Sequence, residues 1–158
     1  MLFAQTYSAN LLTLTDAIGL YYQIRDDYIN LSSDKYMENK AFCEDLTEGK
    51  FSYPIIHAIQ ANPDDRRLLH ILKQRTNDIN IKKHAVEYIR SVGSLAHTEA
   101  VLADLEGEIR EHIAKLGGNA KLEMIVDFLS QSDMWSAIRP NAVRVEFDQT
   151  HQNKSQNN

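Results

Sequence analysis

Asp26 and Asp27 stand side by side in the run Tyr22-Gln23-Ile24-Arg25-Asp26-Asp27-Tyr28-Ile29-Asn30. Carboxylate oxygens are ordinary ligands of Mg²⁺, which takes one or two of them and completes its shell with water and phosphate oxygens. Gln23, Asp26, Asp27 and Asn30 recur at i, i+3, i+4 and i+7, so a helix would carry all four on one face over about two turns. Lys40 and Lys50 follow 10 and 20 residues after Asn30, in a charged stretch long enough to fold back over the end of such a helix. Two ammonium groups beside a metal-bound diphosphate would neutralise its oxygens and stabilise it as a leaving group. The six histidines are scattered singly and offer no general base or nucleophile, so the set suits an ionising diphosphate better than hydrolysis. The plainer reading of the same residues is a solvated acidic helix face with exposed lysines.

Helices must position these groups, and helical periodicity runs through the chain with no alternating strand pattern and no internal repeat. The first helix is expected from Ser8 or Asn10 to Asn30, with Leu11, Leu14, Ile18 and Tyr22 as its apolar stripe and Tyr21 beside it. Its acidic pair then lies at the negative end of the helix dipole, at a cost of about 0.3–1 kcal/mol each that a nearby cation relieves. Residues 31–51 read mostly as a loop, with room for short helical turns, carrying Lys35, Lys40 and Lys50, and a connection of this length is often functional. Ser52 reads as an N-cap with Pro54 in the first turn, and Asn62-Pro63 as the break that follows. Asp64 and Asp65 open a helix that buries Leu68, Leu69 and Leu72, and Asn80 starts one with Ile81, Ala85, Tyr88 and Ile89 on one face. A longer helix over 95–116 has Leu102, Leu105, Ile109 and Leu116 as its seam, and Gly117-Gly118 stops it. Asn119 caps a last helix with Leu122, Ile125, Val126 and Leu129 inward.

Composition agrees with an all-α protein. Of 158 residues only six are Gly and three Pro, while 43% are hydrophobic and 25% charged. The net charge of −5 gives no basic field to hold nucleic acid. No run reaches the roughly 18 apolar residues of a membrane span. The N-terminus lacks the pattern of a signal peptide, and the single Cys43 fits a reducing compartment, so a cytoplasmic protein is expected. Residues 1–139 are expected to form one helical unit, and 140–158, with four Asn and three Gln among 141–158, a disordered tail.

The run at 22–30 resembles the second aspartate-rich motif of the trans-polyprenyl diphosphate synthases, with Asn30 where many of them have a third Asp. Glu38-Asn39-Lys40 and the run from Phe42 to Phe51 are similar to the geranylgeranyl diphosphate synthases of that family, as are Arg75-Thr76, Ile81-Lys82-Lys83 and Val92-Gly93-Ser94. The resemblance covers roughly residues 1–130 and corresponds to the C-terminal half of such an enzyme. It implies a partial all-α helical bundle of the polyprenyl synthase type. It implies that Asp26 and Asp27, completed by Asn30, bind Mg²⁺ bridging to an allylic diphosphate, and that Gln23, Lys40 and Lys50 contact that substrate. The reaction implied is condensation of farnesyl diphosphate with isopentenyl diphosphate to geranylgeranyl diphosphate. The family's first aspartate-rich motif has no counterpart in this sequence, so no synthase activity is expected of the chain alone. Three readings stay open: a piece of a functional synthase, a non-catalytic partner of a full-length synthase as homo- or hetero-oligomer, and a helical protein with a merely solvated acidic face.

Overall fold

Leu14, Ala17, Tyr21, Ile24, Tyr28 and Leu31 are all buried and succeed one another at alternating steps of three and four residues. That spacing keeps one stripe of a helix turned toward a neighbour. They belong to α1 (Leu2–Ser32), the first of seven helices in a computed structural model that describes residues 2–32 and 42–131. After it come α2 (Glu44–Glu48), α3 (Tyr53–Ala61), α4 (Arg67–Gln74), α5 (Ile79–Ser91), α6 (Ser94–Lys115) and α7 (Ala120–Gln131). Lys35, Lys40 and the tail expected over 140–158 fall outside the described residues. The all-α class holds.

The neighbour of α1 is α6, and theirs is the most extensive packing in the fold. Leu95, Thr98, Leu102, Leu105 and Ile109 form a matching stripe at the same alternating spacing, extended by Ile113. The Tyr28 hydroxyl hydrogen-bonds Glu99, so the C-terminal end of α1 lies beside the N-terminal part of α6. The helices α3 and α5 close against α6 from the side, and α2 lies between α1 and α4. Arg110 of α6 holds Glu123 at 2.7 Å and Asp127 at 2.8 Å, which fastens α7.

Several expected details are corrected. The apolar stripe of α1 is rotated from the expected one: Leu11 is 47% and Tyr22 57% exposed. Apolar residues surround most of this helix, so periodicity alone does not say which side α6 takes. Residues 44–48 of the expected loop form α2, entered through Cys43 at φ 48° and left through Gly49 at φ 69°. Ser52 stands at the N-cap of α3 with Pro54 in the first turn, as expected, but its side chain makes no cap bond and lies beside Asp45. Helix α4 starts at Arg67, because Asp65 is turned back by its amide bond to the Asn62 carbonyl and pairs with Arg67 at 2.6 Å. Helix α5 starts at Ile79, one residue before the expected Asn80, and Asp78 caps it by accepting from the amides of Asn80 and Ile81. In α6, Ile113 replaces Leu116 as the last fully buried seam residue, and in α7 Ile125 is 50% exposed while Val126 is buried. Asn119 accepts from the amides of Lys121 and Leu122, as an N-cap should. No described helix is long and apolar enough to cross a membrane.

Candidate functional site

The last two turns of α1 carry Gln23, Asp26, Asp27 and Asn30, and the buried stripe of that helix decides how each is presented. Asp27 adjoins Ile24 and Tyr28 on the inward side and is 5% exposed; Asp26, one residue earlier, is exposed. The inward carboxylate accepts from donors in three directions. Gln23 Nε2 donates to Asp27 Oδ1 at 3.0 Å, Lys50 Nζ to the same oxygen at 2.9 Å, and the Tyr53 amide to Oδ2 at 2.8 Å. Tyr53 is the first residue of α3, so Asp27 sits at the positive end of that helix, which offsets its place at the negative end of α1.

The segment 42–50 brings Lys50 to this point. Lys82 Nζ donates to the Phe42 carbonyl at 2.7 Å, the Leu46 amide closes α2 on the Cys43 carbonyl, and the Asp45 amide donates to Asn30 Oδ1 at 3.2 Å. Gly49 turns the chain in the left-handed region, and the Lys50 amide donates to the Asp45 carbonyl at 2.8 Å. Lys50 Nζ then lies between Asp27 and Asp45, 3.5 Å from Asp45 Oδ1, with its side chain still 37% exposed.

Electrostatics follow this arrangement. Burial pushes the Asp45 carboxyl above the usual range; Lys50 opposes that shift and the Asp27 charge adds to it. The hydrogen bond to Asp27 raises the Lys50 ammonium, so this lysine is firmly charged. Burial pushes the Cys43 thiol up to about 12, in keeping with an inert thiol.

Of the residues singled out from the sequence, Gln23, Asp27 and Lys50 meet in one group. Asn30 is drawn instead to the Asp45 backbone, Asp26 projects outward, and Lys40 is outside the described residues. Among the described residues no three His, Cys, Asp or Glu converge to hold a metal ion. The donor set fits Mg²⁺ nevertheless, because that ion needs only one or two carboxylates when substrate phosphates supply the rest. Asp26 is an open carboxylate, and the single donor on Asp27 Oδ2 leaves that oxygen a further lone pair.

Sequence reading missed the Tyr53 amide, Asn30 as the anchor of Asp45, and Lys82. For Lys82 a signal existed: it falls on the same face of α5 as Ala85, Val86 and Ile89, an unusual place for a lysine. It also missed that His57 stacks on His97, ring centroids 4.0 Å apart, while hydrogen-bonding Ser94.

Comparison with known proteins gives these residues a context. The family model described as polyprenyl synthetase matches residues 1–89. A terpene synthase of Matsumurasca onukii is 52% identical over 132 residues, 84% of this chain and 43% of that protein. A geranylgeranyl pyrophosphate synthase of Dictyostelium discoideum is 52% identical over 127 residues, 80% of this chain and 42% of that protein. One of Mucor circinelloides f. lusitanicus is 49% identical over 114 residues, 72% and 38%. The chain thus spans about two-fifths of the length of the curated relatives it matches.

Proposed function

The chain belongs to the polyprenyl synthetase family, and from that premise we propose that Gln23, Asp26, Asp27, Asn30, Lys40 and Lys50 make up the allylic-diphosphate half of a geranylgeranyl diphosphate synthase site. The observation that carries this reading is the Lys50–Asp27 pair, which holds a charged ammonium on the carboxylate that follows the exposed Asp26 in the chain. In the proposed reaction the allylic C–O bond of farnesyl diphosphate breaks and the diphosphate leaves with the electron pair. The double bond of isopentenyl diphosphate attacks the resulting cation, and a proton is lost to give geranylgeranyl diphosphate. Bound Mg²⁺ would neutralise the diphosphate oxygens, with Asp26 and Asp27 as its protein ligands and Asn30 beside them.

The protein's own groups have three tasks in this scheme. Lys50, with Lys40, supplies positive charge to the departing diphosphate. Asp27 keeps Lys50 extended toward it, and Gln23 orients Asp27. The remaining binding groups would lie in sequence that the relatives have beyond the matched part. On this reading the chain alone is catalytically silent, is cytoplasmic, and works as a homo-oligomer or with a full-length synthase. Leu11, Leu12 and Leu20 of α1, each close to half exposed or more, favour such an association as the second role.

The test is calorimetric titration of farnesyl diphosphate into the folded chain with and without Mg²⁺. Binding that requires Mg²⁺ and is lost in Asp26→Ala is expected. A folded chain that gives no heat in either condition would remove the proposal.

A further inference from the structure

Lys82 of α5 is the one buried basic side chain among the described residues, 2% exposed, and its hydrogen bond goes to the Phe42 carbonyl rather than to any group assigned to substrate. An ammonium is removed from water at high cost unless it is well paired, so a lysine on an apolar helix face calls for a reason. Its hydrogen bond supplies one. Lys82 Nζ donates at 2.7 Å to the carbonyl of Phe42. That carbonyl belongs to the peptide leading into Cys43, which holds φ 48° although it has a side chain. A residue other than glycine stays in the left-handed region only when its surroundings over-determine it. Clamping the preceding carbonyl does this, and the Leu46 amide bond to the Cys43 carbonyl completes the turn.

The turn aims everything that follows. It starts α2, whose Asp45 amide is tied to Asn30, and α2 delivers Gly49 and Lys50 to Asp27. We infer that Lys82 is a positioning residue for the diphosphate site: its ammonium fixes the Phe42–Cys43 peptide, and through α2 the place of Lys50. The part played in substrate binding rests on the function proposed above; the clamp itself does not.

The clamp is tested first by native-state hydrogen exchange on the full chain and on Lys82→Met, which keeps the buried stem and removes the donor. The amides of Leu46, Lys50 and Tyr53 are expected to exchange about tenfold faster or more, while those of α6 keep their protection. Unchanged protection in 42–53, or an equal loss through α6, overturns the inference, whether or not the chain binds farnesyl diphosphate. Calorimetry with farnesyl diphosphate and Mg²⁺ then reads the consequence. Lys82→Met is expected to weaken binding by about 10-fold to 100-fold, as loss of a supporting partner does, and to add nothing in a Lys50→Met background. Equal losses in both backgrounds overturn the route through Lys50. If the wild-type chain binds nothing while the loop still loosens, the proposed function fails and the clamp stands. Should Lys82→Met not fold, Lys82→Gln, shorter and uncharged, is expected to loosen the same amides to a smaller degree, and wild-type protection in it overturns the inference equally.

Discussion

Lys50 Nζ and Asp27 Oδ1 lie 2.9 Å apart although 23 residues separate them in the chain. The pair joins the end of α1 to the start of α3, because the other oxygen of the same carboxylate takes the Tyr53 amide. Adjacent carboxylates of one type therefore have different work. Asp27 is an internal strut that holds Lys50 in place, and Asp26 is exposed at the surface.

That division gives a contrast in stability. Asp27→Ala strips Lys50, Gln23 and the Tyr53 amide of their acceptor. A lost hydrogen bond to a charged group costs about 1.5–3 kcal/mol, and an abandoned buried ion more; Lys50 escapes part of this because it can reach water. We expect Asp27→Ala to lower stability by about 2–3 kcal/mol and Asp26→Ala by no more than about 0.5 kcal/mol, the scale of a surface change. Urea unfolding of both variants measures this. Equal losses would mean that Asp26 is also held by the fold.

How far the sequence told this story depends on the residue. The helical class, the cap at Asn119 and the meeting of Gln23 with Asp27 one turn on were legible, because they are local consequences of spacing and of one side chain meeting its own backbone. The unequal burial of Asp26 and Asp27 was not. Which side of α1 faces inward is decided by α6, and the donors to Asp27 arrive from residues 50 and 53. Lys82 was legible only as a lysine on an apolar helix face; the Phe42 carbonyl that it serves comes from elsewhere in the chain and was not. Lys50 was visible as a candidate from the charge of its loop, but the partners that hold it straight were not.

The acid side of the pH profile should carry the mark of Asp45. Burial raises its pKa above the ordinary 3.8, so between that value and the raised one the folded chain binds more protons than the unfolded chain. Stability from this group is therefore greatest at low pH and declines as pH climbs through the window. Relative to Asp45→Asn, the wild type should lose stability as pH rises from 3.8 through that window. A flat or rising difference in urea unfolding at stepped pH would contradict the assignment. Lys50 acts at the opposite end: its contribution is complete below 10.5, fades as pH climbs through its raised value, and is absent in Lys50→Met.

Gly49 is where the route from Lys82 to Lys50 is most exposed to a single atom. Its φ of 69° lies in the left-handed region, and a Cβ there would stand 3.0 Å from the Leu72 carbonyl oxygen and 3.3 Å from Arg75 Nε. That carbonyl already accepts the Arg75 amide that ends α4, so it cannot retreat without loosening another helix end. The left-handed strain alone costs about 1–2 kcal/mol for a residue with a side chain. Gly49→Ala is thus expected to destabilise the chain by about 2 kcal/mol, strain and contact together, and to weaken Mg²⁺-dependent binding of farnesyl diphosphate because Lys50 is the next residue. Urea unfolding and calorimetry on the same preparation separate the two effects. Should Gly49→Ala prove as stable as wild type, the turn would not need glycine; should it be destabilised yet bind unchanged, the placement of Lys50 would not depend on this turn.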